Sequence, residues 1–227
     1  MNAPAMNDSV DMRDLALDDL RIALAPDIAD AAAFDGWSEE AVRGAARLRG
    51  VDGDVAVYAF ADGPMAMIGA FVAYIDAAMA LALPAETLAG MKVRERIASL
   101  VRFRIGAFAG REEALRRALA IMAGPRHMAA AARLGWSSAD VMWRLAGDTA
   151  VDYNHYTKRA TLAAVYASTL AVLVDDQSEG KAGTLAFLDR RIEDIMRFEK
   201  AKSRLLRPDR EHFSVVRLLG RLRYPVK

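Results

Sequence analysis

Asp148, Asp152 and His155 are the residues whose types and spacing come closest to a catalytic or metal site. They lie four and three positions apart, so a helix would place all three on one face. Two carboxylates and one imidazole could bind a divalent metal, but they leave its coordination shell incomplete. The alternative is that the acids cap helix starts and that His155 lies on the surface. We therefore predict no metal site here.

The rest of the sequence offers little catalytic chemistry. His127 and His212 are remote from His155, and no Glu-x-x-His pair is present, so the di-iron site of helical bundles is not predicted. The sequence contains no GxGxxG, GxxxxGK(S/T), GxSxG or HExxH motif, and its lack of cysteine excludes disulfides and thiolate metal sites. We predict a protein that is not an enzyme and that uses no cofactor.

The candidate residues belong to a stretch, residues 136–174, around which the chain is organised. Its first half is dense in aromatic and polar residues and contains two of the three tryptophans. Its second half, from Ala160 to Val174, is apolar on almost every helical face, and a helix of that kind is a buried one. A membrane span needs about 20 residues, and this run is shorter. The pattern predicts the central helix of a bundle, entered through a polar, aromatic corner.

The composition favours helices throughout. Of 227 residues, 54% are hydrophobic, while glycine and proline are sparse, with 15 and 7 residues. The chain is therefore predicted to be all-α, with enough apolar side chain to bury a core. Residues 1–14 are polar and lack an apolar run, so we expect no secretory signal and a cytoplasmic location, with possible attachment to a membrane surface.

A helix-turn-helix pattern is predicted within residues 12–62. A first helix is expected to be kinked or split at Pro26. Ser38 is placed to cap a second helix, Gly50 and Val51 form a turn, and a short segment follows to Phe60. This spacing resembles the N-terminal domain of TetR-type regulators.

The charges of that region argue against binding to DNA. From Gly50 to Met91 there is no lysine or arginine, whereas five acids are present. A helix in the major groove needs cations that contact phosphates, and Asp52 and Asp54 would stand in their place. A DNA-binding repressor is thus the less favoured interpretation.

Further helical segments are predicted after residue 63. Pro64 to Leu83 is apolar apart from Asp76, and we interpret it as a core helix, because a charge in mid-membrane costs about 2.5–3.5 kcal/mol. Thr87 to Phe108 is predicted to be one basic amphipathic helix, with Arg104 on its charged side. Gly135 is expected to end a short helix, Ser137 or Ser138 to cap the next, and residues 184–204 to form a charged helix.

The C-terminal tail is basic. Residues 202–227 carry eight cations and two acids, and residues 209–223 have the pattern of an amphipathic helix. Such a helix binds a membrane interface, or alternatively docks on the bundle as a structural element. The residues predicted to contact membrane are Arg210, Val216, Arg217, Leu219, Arg221 and Leu222.

A long motif after residue 142 carries a family resemblance. It reads Trp143-x-x-Ala-Gly147-Asp148-x-x-x-Asp152-Tyr-Asn-x-Tyr156-Thr-Lys-Arg159. The string resembles the Coq-nine family, lipid-binding accessory proteins of ubiquinone biosynthesis. The resemblance implies a TetR-like all-α fold that has lost DNA binding, and a homodimer that takes up isoprenoid or phospholipid. It also implies an amphipathic C-terminal helix at the membrane and a non-enzymatic role in presenting quinone intermediates to a demethoxyubiquinone hydroxylase.

The resemblance also assigns roles to residues of this chain. It places partner binding at Trp143, Asp148, Asp152, His155 and Tyr156. The family commonly has Trp-Tyr where this chain has His155-Tyr156, so one aromatic interface anchor is replaced here.

A lipid pocket is predicted among the apolar helices, in the larger domain of residues 63–227 that follows the helix-turn-helix domain of residues 12–62. Its predicted lining residues are Ile68, Phe71, Val72, Ile75, Met79, Ile97, Leu100, Val101, Leu162, Tyr166 and Leu170. The protein is predicted to act at the cytoplasmic face of the inner membrane. The alternative prediction is a ligand-responsive TetR-type repressor.

Overall fold

The computed structural model describes residue 12, residues 15–149 and residues 153–205, with side chains as far as Arg197. Over these residues it shows ten α-helices and no β-strand, so the all-α prediction is confirmed. The helices are α1 (Leu17–Asp35), α2 (Glu39–Arg49), α3 (Gly53–Ala59), α4 (Pro64–Ala82), α5 (Ala85–Ala89), α6 (Val93–Gly106), α7 (Glu112–Met122), α8 (Met128–Leu145), α9 (Tyr153–Leu173) and α10 (Ala182–Leu205).

The N-terminal helices form the predicted helix-turn-helix. The hydroxyl of Ser38 accepts a hydrogen bond from the backbone N–H of Ala41, as expected of a cap. Gly50 closes α2 in the left-handed conformation, with a φ of 67°. The expected split at Pro26 is wrong: α1 is a single helix, because its flanking residues Leu24 and Ile28 are fully buried and packing overrides the local preference. The alternative, a kink at Pro26, stays a prediction.

The acids around α3 have structural partners. Asp52 caps α3 by accepting hydrogen bonds from the N–H groups of Asp54 and Val55, at 2.8 and 3.1 Å. The carboxylate of Asp54 lies 2.9 Å from Arg43, which also pairs with Glu39. Arg43 is therefore already neutralised by these two acids, and α3 begins with exposed negative charge where the recognition helix of a DNA-binding protein would carry cations.

Helix α4 forms the centre of the bundle and packs on α1, α6, α7 and α8. Met67, Phe71, Ile75 and Met79 are buried, as predicted for a core helix. Within the described residues, α4 is the one helix that is long and apolar enough to cross a membrane by length and composition. A core helix of a soluble protein has the same composition, and the burial of these residues against other helices agrees with that interpretation.

The segment from Thr87 to Phe108 is two helices, not the single helix predicted. The chain turns at Gly90, and the side chain of Glu95 then accepts a hydrogen bond from the N–H of Lys92, 3.0 Å away, which starts α6. The side chain of Arg96 donates to the carbonyls of Ala89 and Met91 and to that of Ala146. It thereby ties this turn to the end of α8.

Arg104 also departs from its predicted position on the charged side of α6. Its side chain is fully buried and forms an ion pair with Asp76 of α4. Its Nη2 donates to the hydroxyl of Ser138 at 2.9 Å. Ser138 is therefore not a helix cap, and the boundary predicted at Gly135 is wrong, because α8 continues through both residues.

Helix α9 is not buried on all sides, contrary to the prediction. Its inner face buries Leu162, Tyr166, Leu170 and Leu173. From residue 160 onward its outer face is exposed and consists of small residues: Ala160, Thr161, Ala164, Ala167 and Ala171. Because an exposed alanine leaves little apolar area in water, α9 can lie at the edge of the bundle at small cost.

Helix α10 begins slightly before its predicted start. Asp176 accepts hydrogen bonds from the N–H and the hydroxyl of Thr184, at 2.7 and 2.6 Å, and so fixes the start of the helix. The predicted pair of Glu193 and Arg197 is formed, at 2.7 Å. The chain divides after Ile192 into two compact units. The boundary predicted between residues 62 and 63 stays a prediction.

Candidate functional site at the corner between α8 and α9

The corner depends on a glycine turn at the end of α8. Gly147 has a φ of 86°, and a Cβ there would lie 3.3 Å from Nη1 of Arg96. A side chain at this position would be both strained and crowded, so glycine is required. Residues 150–152 lie outside the described part of the chain, and the predicted partner residue Asp152 lies outside it with them.

Asp148 is held between two cations. Its side chain is only 5% exposed and accepts hydrogen bonds from Nζ of Lys158, at 2.6 Å, and from Nη1 of Arg159, at 3.1 Å. Because α9 begins only at Tyr153, Asp148 and His155 do not share a helix face. The carboxylate that could have been a metal ligand is instead part of an ion-pair network.

Arg159 joins the elements of the corner, and the sequence analysis gave it no role beyond its place in the motif. Its side chain is 2% exposed. Its Nε donates to Asp140 of α8 at 2.6 Å, and its Nη1 donates to Asp148 and to the carbonyl of His155. The sequence feature that could have predicted this role is the pair of acids Asp140 and Asp148, eight residues apart, followed by an arginine. Arg159 thus fixes the first turn of α9 against α8.

The electrostatics of the network favour the charged forms of both acids. Burial opposes the ionisation of Asp148, but hydrogen bonds from Lys158 and Arg159 outweigh it, and the pKa lies below the ordinary value of 3.8. Burial likewise opposes the ionisation of Asp140, and the pairing with Arg159 and Arg144 lowers its pKa below that value. Both acids therefore stabilise the corner most when they are ionised.

Trp143 has a structural role in the same network. Its indole N–H donates to the carbonyl of Lys158 at 3.0 Å, and Nζ of Lys158 lies 5.3 Å from the centre of its ring. The ring is half-buried. Through these two contacts with Lys158 it anchors the first turns of α9 to α8.

Several aromatic side chains lie close together at the corner and are partly or largely exposed. Tyr156 is 60% exposed, so the predicted exposure of this residue is confirmed. Its ring centre lies 6.1 Å from that of Trp136 and 5.2 Å from that of His155, which is half-buried. Tyr153 is 75% exposed one turn earlier. We call Trp136, Tyr153, His155 and Tyr156 the aromatic surface.

The predicted lipid-lining residues all lie on the inner helices. Val72 is half-buried, and the other ten are buried, with exposed fractions of 7% or less. The structure shows a cleft of about 460 Å³ elsewhere, between α1 and α2, lined by residues that include Asp27, Arg47 and Leu48 and by none of the eleven. The lipid pocket therefore stays a prediction. The six predicted membrane residues, 210–222, lie outside the described residues.

The fold belongs to a known class. The chain is similar to a TetR transcriptional regulator from Nitrosomonas europaea, with a TM-score of 0.62 and 20% identity over 79% of this chain and 99% of that chain. The likeness establishes the fold, so this is a TetR-like all-α protein.

The family follows from the sequence of the corner itself. Residues 128–199, which hold α8, the corner, α9 and most of α10, match the model of the family described as COQ9. The segment is similar to this family, and the resemblance predicted from the motif is confirmed.

Individual relatives are similar to this chain over segments of 80 residues or more. The chain is 42% identical over 80 residues to the mitochondrial ubiquinone biosynthesis protein COQ9 of Rattus norvegicus and 41% identical over 80 residues to that of Homo sapiens. Each match covers 35% of this chain, and the chain spans 26% and 25% of the two relatives. The probable counterpart of Dictyostelium discoideum is 26% identical over 121 residues, 52% of this chain and 38% of that protein.

The network predicts the effect of neutralising Asp148. We expect Asp148→Asn to lower the free energy of unfolding by about 1–3 kcal/mol at pH 7, because it removes a carboxylate that two cations share. Since the folded-state pKa is below 3.8, the contribution of Asp148 is complete above that pH and is lost as the pH falls further. Urea unfolding of the wild-type protein and of Asp148→Asn at pH 7 and pH 3 measures the difference in their free energies of unfolding.

Asp175→Asn is the matched control, because Asp175 is 76% exposed and pairs with Arg116 at the surface. We expect it to change stability much less. An equal loss for Asp148→Asn at pH 7 and at pH 3 would show that its effect is one of packing and not of charge.

Proposed function

We propose that this protein is a non-enzymatic, lipid-binding accessory protein of ubiquinone biosynthesis, which presents isoprenoid quinone intermediates to a membrane-bound hydroxylase. The match of residues 128–199 to the COQ9 family carries this proposal. The matched segment contains the corner and the aromatic surface, so the family likeness falls on the part of the molecule with the most distinctive exposed chemistry.

The interior supports the lipid-binding part of the proposal. Helices α4, α6 and α9 carry ten buried apolar or aromatic side chains, and α6 contacts both α4 and α9. Ligand sites for apolar molecules are lined in this way, with few polar groups. An isoprenoid or phospholipid is the class of ligand that such an interior would hold.

The aromatic surface supports the partner-binding part. Tyrosine and tryptophan are enriched in the energetically dominant centres of protein interfaces, and Tyr156 offers a large ring beside two others. We propose that a demethoxyubiquinone hydroxylase-like protein binds here. His155, where the family commonly has tryptophan, supplies a smaller ring to that contact.

Two further features belong to the same proposal. The alanine face of α9 would allow a second copy to approach closely, which supports a homodimer. The basic residues 202–227 would attach the protein to the cytoplasmic face of an inner membrane. The curated relatives are named as mitochondrial proteins.

The alternative, a DNA-binding repressor, has less support. The helix-turn-helix is present, but Asp52 and Asp54 occupy the start of α3, and Arg43 is paired with Glu39 and Asp54. DNA binding depends on cations near the phosphates. A shift of DNA by this protein at low salt would favour the repressor.

The lipid-binding proposal is tested by the lipid that copurifies with the full chain. We expect mass spectrometry of the extract to show an isoprenoid quinone or its precursor. Met79→Trp should fill the pocket, so that the protein folds but the lipid is lost. Leu48→Trp, at a 78% exposed position, is the control and should retain the lipid.

Wild-type protein without lipid, together with an unfolded Met79→Trp variant, would mean that the helices form a solid core, since overpacking a full interior is destabilising. That result would exclude lipid binding.

The partner surface is tested by Tyr156→Ala. We expect it to abolish binding of the hydroxylase in a pull-down while changing stability by less than about 1 kcal/mol, because the residue is exposed. Tyr58→Ala removes another exposed tyrosine, 70% accessible, from helix α3 and should leave binding intact. A large fall in melting temperature with the hydroxylase still bound would assign Tyr156 a structural role.

The tail is tested by deleting residues 209–227. The attraction of cations to anionic lipid contributes about 1 kcal/mol per residue near the surface, so the truncated protein should no longer sediment with anionic vesicles. Its melting temperature should match that of the full chain. An unfolded truncation product would instead identify the tail as a structural part of the bundle.

A further inference from the structure

One end of the bundle carries exposed apolar side chains beside exposed cations. Helix α4 ends at Ala82 and α6 begins at Val93, and α5 between them has only five residues, a length of about 7.5 Å. Leu81 is 67% exposed and Val93 is 50% exposed. Lys92 and Arg94, on either side of Val93, are exposed as well. We call Leu81, Lys92, Val93 and Arg94 the α4–α6 surface.

The cations of this surface lie where the helix itself does not favour them. The start of a helix carries a partial positive charge, so acids stabilise it and cations do not. Helix α6 nevertheless has Lys92, Arg94 and Arg96 in and around its first turn. Arg96 donates to three backbone carbonyls, which accounts for its position. Within the described part of the chain Lys92 and Arg94 have no ion-pair partner, so their placement indicates an anionic partner outside it.

The charge of this end differs from that of the segment before it. Between Gly50 and Met91 there is no lysine or arginine, and the first cations that follow are the three within residues 92–96. Two acids lie nearby, Glu86 on α5 and Glu95, whose carboxylate accepts a hydrogen bond from the N–H of Lys92 at 3.0 Å. Residues 81–96 thus hold three cations against two acids, a net charge of +1. The dipole of α6 adds further positive charge at this end.

The same end of the bundle holds the corner between α8 and α9. The side chain of Arg96 fixes the turn before α6 and also donates to the carbonyl of Ala146 at 2.9 Å, at the end of α8. Helix α9, with the exposed Tyr153 and Tyr156, begins after this corner. Apolar and aromatic side chains next to cations are typical of surfaces that lie on a membrane.

This combination favours a lipid bilayer over other anionic partners. Binding to nucleic acid relies on many cations at the phosphates, and a net charge of +1 supplies few. An anionic bilayer offers phosphate groups to Lys92 and Arg94 and, a few ångströms deeper, an apolar environment for Leu81 and Val93. The apolar half of the α4–α6 surface would gain nothing from an anion in solution.

We propose that the α4–α6 surface docks on an anionic lipid bilayer, with Leu81 and Val93 inserted below the head groups and with Lys92 and Arg94 at the phosphates. The proposal rests on the attachment to a membrane proposed above, and it adds to the C-terminal tail a second contact on the folded bundle. Docking in this way brings the corner, and with it the proposed binding site for a membrane-bound hydroxylase, next to the bilayer.

The absence of cysteine permits a direct test in the full chain. Leu81→Cys and Val93→Cys each place one thiol at an exposed position, where it is labelled with an environment-sensitive fluorophore. On addition of vesicles of phosphatidylglycerol and phosphatidylcholine, we expect a blue shift of the emission and a rise in its intensity, because the label leaves water. Leu48→Cys and Tyr58→Cys, at exposed positions of α2 and α3, are the matched controls and should not respond.

Arg94→Gln tests the role of charge. We expect the affinity for the same vesicles to fall about fivefold, which corresponds to the ~1 kcal/mol that one cation contributes near an anionic surface. The variant should fold normally, because Arg94 is exposed and a cation does not stabilise a helix start. Arg47→Gln removes a cation that is 68% exposed on α2, and it should leave the affinity unchanged.

Three results would overturn the inference while leaving the tail as a membrane anchor. The first is binding to vesicles with no response from the labels of Leu81→Cys and Val93→Cys. The second is an equal response from the labels of Leu48→Cys and Tyr58→Cys, which would show adsorption without a defined surface. The third is an equal response to vesicles of phosphatidylcholine alone, or an unchanged affinity of Arg94→Gln, either of which would exclude an anionic bilayer. A full chain that binds no vesicles would overturn the proposed attachment to a membrane itself.

Discussion

The ion pair of Arg104 and Asp76 constrains the whole bundle. A buried guanidinium is tolerated only when its charge is neutralised and most of its donors are hydrogen-bonded, and here those partners come from different helices. Helix α4 supplies the carboxylate, α8 the hydroxyl and α9 an aromatic face. The positions of these helices relative to α6 are therefore fixed by a polar requirement as well as by apolar packing.

A second buried arginine organises the corner in the same way. Arg159 links Asp140 of α8 with Asp148 of the connecting turn and with the carbonyl of His155. The first turns of α9, which carry Tyr153, His155 and Tyr156, are anchored by these ion pairs and by the indole of Trp143. An exposed aromatic group on a well-anchored helix loses less conformational freedom on binding than one on a mobile segment.

Features that depend on local chemistry could be predicted from the sequence alone. The cap at Ser38, the turn at Gly50 and the exposure of Tyr156 follow from the nature of single residues and their neighbours. The missed features depend on contacts between distant segments. From the sequence alone Arg104 is expected at the surface, because nothing local indicates that Asp76 lies opposite it. Helix α9 is expected to be buried because alanine is classed as apolar, although its exposure to water costs little free energy.

The acids at α3 limit which substitutions this helix tolerates. Asp52 caps the helix start and Asp54 pairs with Arg43, so the negative charge of this surface also maintains the local structure. Changing these residues to lysine would make the surface more basic but would uncap α3 and remove one of the two acidic partners of Arg43. The charge of this surface and the stability of the helix therefore cannot be varied independently at these two positions.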